Sequence, residues 1–103
     1  PINVYTTTGG GSGSSTEHSA GTIDTTVSNC LLIAACSWDT DTTQNTFSPA
    51  QYTEQYQQNN SIQVTLALLH GIQGGAGTTG NPTFTSGGSA AGAMLCNIAI
   101  PPK

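Results

Sequence analysis

The sequence predicts an all-β protein: an antiparallel β-sandwich of jelly-roll character, with about seven strands and no helix. Three observations predict it. Apolar residues recur with period two, while the 3.6-residue period of an amphipathic helix is almost absent. Gly, Asn, Ser and Pro clusters punctuate the chain between those runs. No helical crossover stands between successive strands, so their pairing is expected to be antiparallel. At 103 residues the chain is long enough for one core.

Taken in order, Ile2 and Val4 alternate with polar or aromatic neighbours and give a short first strand. The stretch from Thr6 to Ser15 is rich in Thr, Gly and Ser and reads as a flexible link. Residues 1–19 are therefore expected to form an N-terminal strand or arm with its linker, and residues 20–103 the sandwich. Gly21 punctuates the chain before a β-branched strand, Thr22 to Val27, and Ser28-Asn29 turns it. Cys30 to Trp38 is the most apolar run, of the right length for a central strand buried on both faces. Its leucines and alanines would also suit a helix, but only a single turn separates it from a β-branched strand, and no glycine caps its end.

Asp39 to Pro49 reads as a polar loop and Gln51 to Tyr56 as a half-wet strand, with a turn over Gln57 to Ser61. Ile62, Val64, Leu66, Leu68 and His70 then alternate with Gln63, Thr65, Ala67 and Leu69, the cleanest inward/outward pattern in the chain. A Gly-rich loop from Gly71 to Pro82 leads to a short edge strand, Thr83 to Thr85, and Gly87-Gly88 turns again. The last strand, Ala91 to Ile100, sets Met94, Cys96, Ile98 and Ile100 on one face, and Pro101-Pro102 stops it.

Composition narrows the function. Only 6% of residues are charged, against about 25% in an ordinary domain, and Lys103 is the sole cation beside five carboxylates. Binding to nucleic acid by counterion release is not expected of such a chain, nor is docking on anionic membranes. No apolar run approaches the length of a membrane-spanning helix, and no basic segment followed by an apolar stretch reads as a secretory leader. The surface is left to Thr, Ser, Gln, Asn and Gly, which suits an assembly subunit or an extracellular or virion-surface module better than a cytosolic enzyme.

Sites of chemistry are sparse. Gly75-Ala76-Gly77-Thr78-Thr79-Gly80 matches the dinucleotide-binding glycine pattern, but Asn81-Pro82 and a β-branched stretch follow it where a helix is required, so a loop is expected. No nucleophile elbow surrounds any serine, His18 lies in the link, and His70 ends an apolar strand. No catalysis and no cofactor are therefore expected. Asp39, Asp41 and Asn45 are the weak Ca²⁺ candidates, in a loop that misses the EF-hand glycine and glutamate. Trp38, Tyr52 and Tyr56 are able to stack on a glycan or fill a partner's pocket, or else to pack the core. Ile2, Val4 and Tyr5 are the candidates for an assembly arm that completes a neighbour's sheet edge. Cys30 and Cys36 lie about 20 Å apart along one strand and cannot pair there. Either is able to meet Cys96 across the core; the alternative is three small buried thiols.

The run Gly21-Thr22-Ile23 with Cys30 to Trp38 resembles the opening strand pair of small β-sandwich modules in phage virion proteins, where a Thr-rich strand leads into an apolar one and a polar loop follows. The likeness continues through Phe47-Ser48-Pro49, Ile62 to Leu69, the Gly-rich stretch over residues 75–85, and Ala93 to Ile100. It covers roughly residues 20–100 and is one of strand order and composition, without a diagnostic consensus. The resemblance implies a virion structural protein: a head decoration (cement) or fibre subunit at the particle surface, partnered by copies of itself or by the major capsid protein. A glycan- or receptor-binding module of a tail or fibre is the alternative it implies. A subunit of an extracellular filament also fits the low charge and the candidate arm.

Overall fold

The structure, a computed structural model, describes the backbone of residues 4–9, 15–38, 44–48, 51–60, 64–90 and 93–103, and side chains within 17–38, 51–53, 66–85 and 93–103. All regular structure among them is strand: β1 (Val4–Gly9), β2 (Ser15–Ser19), β3 (Asp24–Thr25), β4 (Cys30–Trp38), β5 (Gln44–Ser48), β6 (Tyr52–Asn60), β7 (Val64–Gln73), β8 (Gly77–Thr78), β9 (Thr83–Ala90) and β10 (Met94–Ile100). Every ladder is antiparallel. A five-stranded sheet has the order β1-β10-β4-β7-β6, a three-stranded sheet the order β2-β9-β5, and β3-β8 form a two-residue ladder. The all-β, antiparallel expectation holds.

Several boundaries differ from expectation. Among the described residues eight strands of five residues or more are present instead of about seven. Ser15–Ser19, read as linker, is a strand, and so is Gln44–Ser48 inside the expected polar loop. Of the expected strand over 22–27 only Asp24–Thr25 pairs. The edge strand expected at 83–85 runs to Ala90 through both glycines, and it is the centre of its sheet. β2, β5 and the extension of β9 are mostly polar segments that gain their place from ladder hydrogen bonds to a neighbour, a long-range term that local pattern does not carry.

β4 sits at the middle of the large sheet because both rows of its backbone groups are taken, Leu31 to Ser37 by β10 and Cys30 to Trp38 by β7. That pairing overrides the helix propensity of its leucines and alanines. Alternation then sorts its side chains: Cys30, Leu32, Ala34, Cys36 and Trp38 are buried, while Leu31, Ile33, Ala35 and Ser37 lie on the other face. Register carries the sorting to its neighbours. Ala67, Leu69 and Gly71 on β7, and Leu95, Asn97 and Ala99 on β10, join the buried face. The buried set on β7 thus includes its two smallest residues, Ala67 and Gly71, beside Leu69, and Leu66, Leu68 and His70 face outward. Large meets small across the ladder, with Leu32 opposite Gly71 and Leu69 opposite Ala34. The room so left is filled by Trp38, Tyr52 and Phe84, the three largest fully buried side chains.

Gly71 is required where it stands. A Cβ there would meet the Gln51 carbonyl oxygen at 2.2 Å, so the start of β6 passes closer to β7 than any side chain permits. Phe84 on β9 contributes to the same core from the second sheet, and the His18 ring on β2 stacks on Trp38 with centroids 5.7 Å apart. Between β2 and the turn before β4, Ala20 N–H donates to the Pro82 carbonyl at 3.0 Å and Thr79 N–H to that of Ile23 at 2.8 Å, closing one end of the sandwich.

Candidate interaction surface

Two regions hold side chains that sequence reading singled out: the closed end of the sandwich and the outer face of the five-stranded sheet.

The closed end is a buried polar network. The Tyr52 hydroxyl donates to Asn97 Oδ1 at 2.9 Å, and Asn97 Nδ2 donates to the Gly21 carbonyl at 3.0 Å and reaches Thr79 Oγ1 at 3.5 Å. Thr79 Oγ1 also accepts from Ile23 N–H at 3.1 Å and donates to the Gly80 carbonyl at 2.9 Å. Burial pushes the Tyr52 phenol above its ordinary value, and the bonds to Thr79 and Asn97 oppose that rise in part. The glycine pattern at 75–80 belongs to this end and, where a loop was expected, includes the two-residue strand β8; no helix follows it, and the Thr79 and Gly80 amides are spent on the Ile23 carbonyl and on Gln51 Oε1. Those two amides have no free hydrogen to offer a phosphate.

Trp38 and Tyr52 are therefore core residues, 1% and 2% exposed, and neither presents a ring to a glycan. An aromatic in the sequence does not declare which face of its strand is covered, and here both are on the inner one. Tyr56 lies in β6 opposite Leu68, and its side chain falls outside the described residues, as do those of Asn45 and Val4. Asp39, Asp41 and Ile2 lie outside the described residues altogether. No cluster of three or more metal-capable side chains occurs among the described ones. Val4 and Tyr5 belong to β1, which pairs with β10 of its own chain, Val4 opposite Ala99 and Tyr5 opposite Ile98.

The cysteines separate by face. Cys30 and Cys36 are buried inside, and the Cys30 thiol donates to the Val27 carbonyl at 3.4 Å. Cys96 pairs with Ala35 on the outer face and is half-buried, so no bridge crosses the core and all three thiols are free. Burial, with Cys96 adding a smaller repulsion, pushes the Cys36 thiol up to about 12.

The outer face of the large sheet is the feature that sequence reading did not isolate. Its three central strands place residues in four rows: Ile100, Leu31 and Ile72; Ile98, Ile33 and His70; Cys96, Ala35 and Leu68; Met94, Ser37 and Leu66. Met94 is 69% exposed, Ile72 58%, Leu66 43% and Leu31 38%. No described side chain of these rows carries a carboxylate or an ammonium group. The signal was present in the double-sided apolar character of the three strands, which marks a sheet covered on both faces. In one copy of the chain, the described residues cover one face only. A contiguous apolar sheet face of this kind is the physical mark of an association surface. Comparison with protein-family models, with curated proteins and with solved structures finds no match for this chain.

Proposed function

We propose that the chain is a non-enzymatic structural subunit of a virus particle, of the phage decoration or fibre kind, that acts by packing on neighbouring subunits. The observation that carries this reading is the outer face of the five-stranded sheet, whose four central rows are apolar except for His70 and Ser37 and hold no described carboxylate or ammonium group. Such a face contributes hydrophobic association energy at roughly 25 cal/mol per Å² removed from water. The rest of the composition agrees with it: a surface of neutral polar groups, with five carboxylates in all, lets copies crowd together with little mutual repulsion. The likeness of strand order to phage virion modules supplies the particle context.

The glycan-binding alternative needs exposed aromatic platforms, and the burial of Trp38 and Tyr52 removes two of its three candidates. The filament alternative needs residues 4–9 as a strand donated to a neighbour, and here they pair with β10 of their own chain. Immunogold labelling of intact particles, released by the cells that express the chain, tests the reading. Gold on the particle surface supports it. Chain found only in the particle-free fraction overturns it.

A further inference from the structure

Resting on the assembly reading above, we infer that the occupant of the outer face is a second copy of this chain, packed sheet on sheet about a two-fold axis. The axis lies in the interface plane, perpendicular to the strands, and passes close to Ala34.

Shape is the first argument. Along β4 the outward side chains shrink from Leu31 and Ile33 to Ala35 and Ser37. At the Leu31 end, Ile100, Leu31 and Ile72 make a row that is large throughout. At the other end Ser37 is a notch between Met94 and Leu66. A two-fold axis across the strands brings Leu31 of one copy over Ser37 of the other, and Ile33 over Ala35. Each face then presents its knob to the other's notch, twice over, which is the self-complementarity an isologous interface demands. An axis parallel to the strands would set Leu31 on Leu31 and leave both notches empty.

Charge is the second. The chain carries five carboxylates against one lysine, so a face that pairs with itself is best placed away from them. The outer face avoids this, because none of its described side chains is an anion. Area is the third. The three strands of the face, about 4.8 Å apart and seven residues long, give a footprint of roughly 350 Å² per copy, and β1 and β6 beside them widen it to roughly 500 Å². Two such faces bury about 1,000 Å² or more, the lower bound for a specific interface.

Sedimentation velocity of the intact chain over a concentration series is the first measurement, with a concentration-dependent dimer expected. Met94→Glu, at the most exposed position of the face, is expected to raise the dissociation constant roughly tenfold or more, because it places a charge in an apolar contact. Circular dichroism and the melting of the monomer are expected to stay unchanged. Geometry is tested by cross-linking in a Cys96→Ala background. Packed sheets stand about 10 Å apart, beyond disulfide reach, so a short bismaleimide joins the thiols. A mixture of Leu31→Cys and Ser37→Cys chains is expected to cross-link, and each alone is not. A chain that stays monomeric overturns the inference. So does a dimer indifferent to Met94→Glu, or one in which Leu31→Cys links to itself. None of these outcomes touches the immunogold result, so self-pairing and the virion assignment fail separately.

Discussion

The Tyr52 hydroxyl on β6 is hydrogen-bonded to the Asn97 amide on β10, although β7 and β4 lie between those strands. Three strand spacings amount to about 14 Å, a gap that the phenol, the amide and the bond between them bridge across the inner face. Through Asn97 Nδ2 the same link reaches the Gly21 carbonyl, so two strands of the large sheet and the segment before β3 share one buried amide.

Tyr52→Phe keeps the ring and removes the donor. Asn97 Oδ1 is then buried without it, and the expected loss is about 1–3 kcal/mol in urea unfolding. Asn97→Ala is expected to cost more, because the Gly21 carbonyl loses its donor too. Equal stability of Tyr52→Phe and the parent chain would show the bond to be worth nothing.

Alkali should weaken the fold through Cys36 and Tyr52. Both groups have folded values raised above their unfolded ones, so both hold their protons more tightly when folded. Their contribution is complete below the unfolded values and is lost as pH rises through the folded ones. For Cys36 the window opens at its ordinary value of 9.0 and extends to about 12. Denaturation midpoints measured from pH 8 to 11 are expected to fall, on an order of magnitude set by about 1.4 kcal/mol per pH unit per group at most. Cys36→Ala should flatten part of that slope.

Gly71→Ala forces a Cβ against the Gln51 carbonyl at 2.2 Å, with backbone on both sides of the clash. A loss of about 1–3 kcal/mol is expected, the usual cost of overpacking. Gly74→Ala, where nothing lies within 4 Å, is the control and should change little.

Asn29 holds φ at 60° in the turn that enters β4, and its N–H reaches the Gly74 carbonyl at 3.3 Å. Asn29→Val should lower the melting temperature through left-handed strain of about 1–2 kcal/mol, while Asn29→Gly should be tolerated. If both variants melt alike, the backbone there relaxes on substitution.

Trp38→Ala empties the centre of the core and removes the ring on which His18 stacks. Losses of about 3–5 kcal/mol follow such truncations, and marginal domains hold about 5–15 in total, so little folded protein is expected. Soluble, folded Trp38→Ala that had lost only a binding activity would instead place the ring at a contact.

Fold class was legible because β4, β7 and β10 carry the apolar alternation that a sandwich core requires. Which of their two faces looks inward was not legible, since Leu66 and Leu68 outward are larger than Ala67 and Gly71 inward. That choice is made by register, through Leu32 against Gly71 and Leu69 against Ala34. The strands built of Ser, Thr, Gln and Asn, β2 and β5, escaped notice because their pairing partner, β9, is distant in sequence. The apolar outer face was hidden for the same reason as the inward face. Apolar residues on both sides of a strand say that both are covered, and only the assembled sheet shows which cover the chain provides for itself.

β1 is paired throughout with β10, the strand nearly a whole domain away from it in sequence. The ladder from Val4 opposite Ala99 to Gly9 opposite Met94 has no local substitute. During synthesis residues 4–9 emerge before residues 94–100 and lack that partner until it has cleared the ribosome. Closing so large a loop is slow next to a hairpin, and a waiting Thr-rich segment is open to strand exchange with the neighbouring nascent chain. Slower translation lengthens that wait.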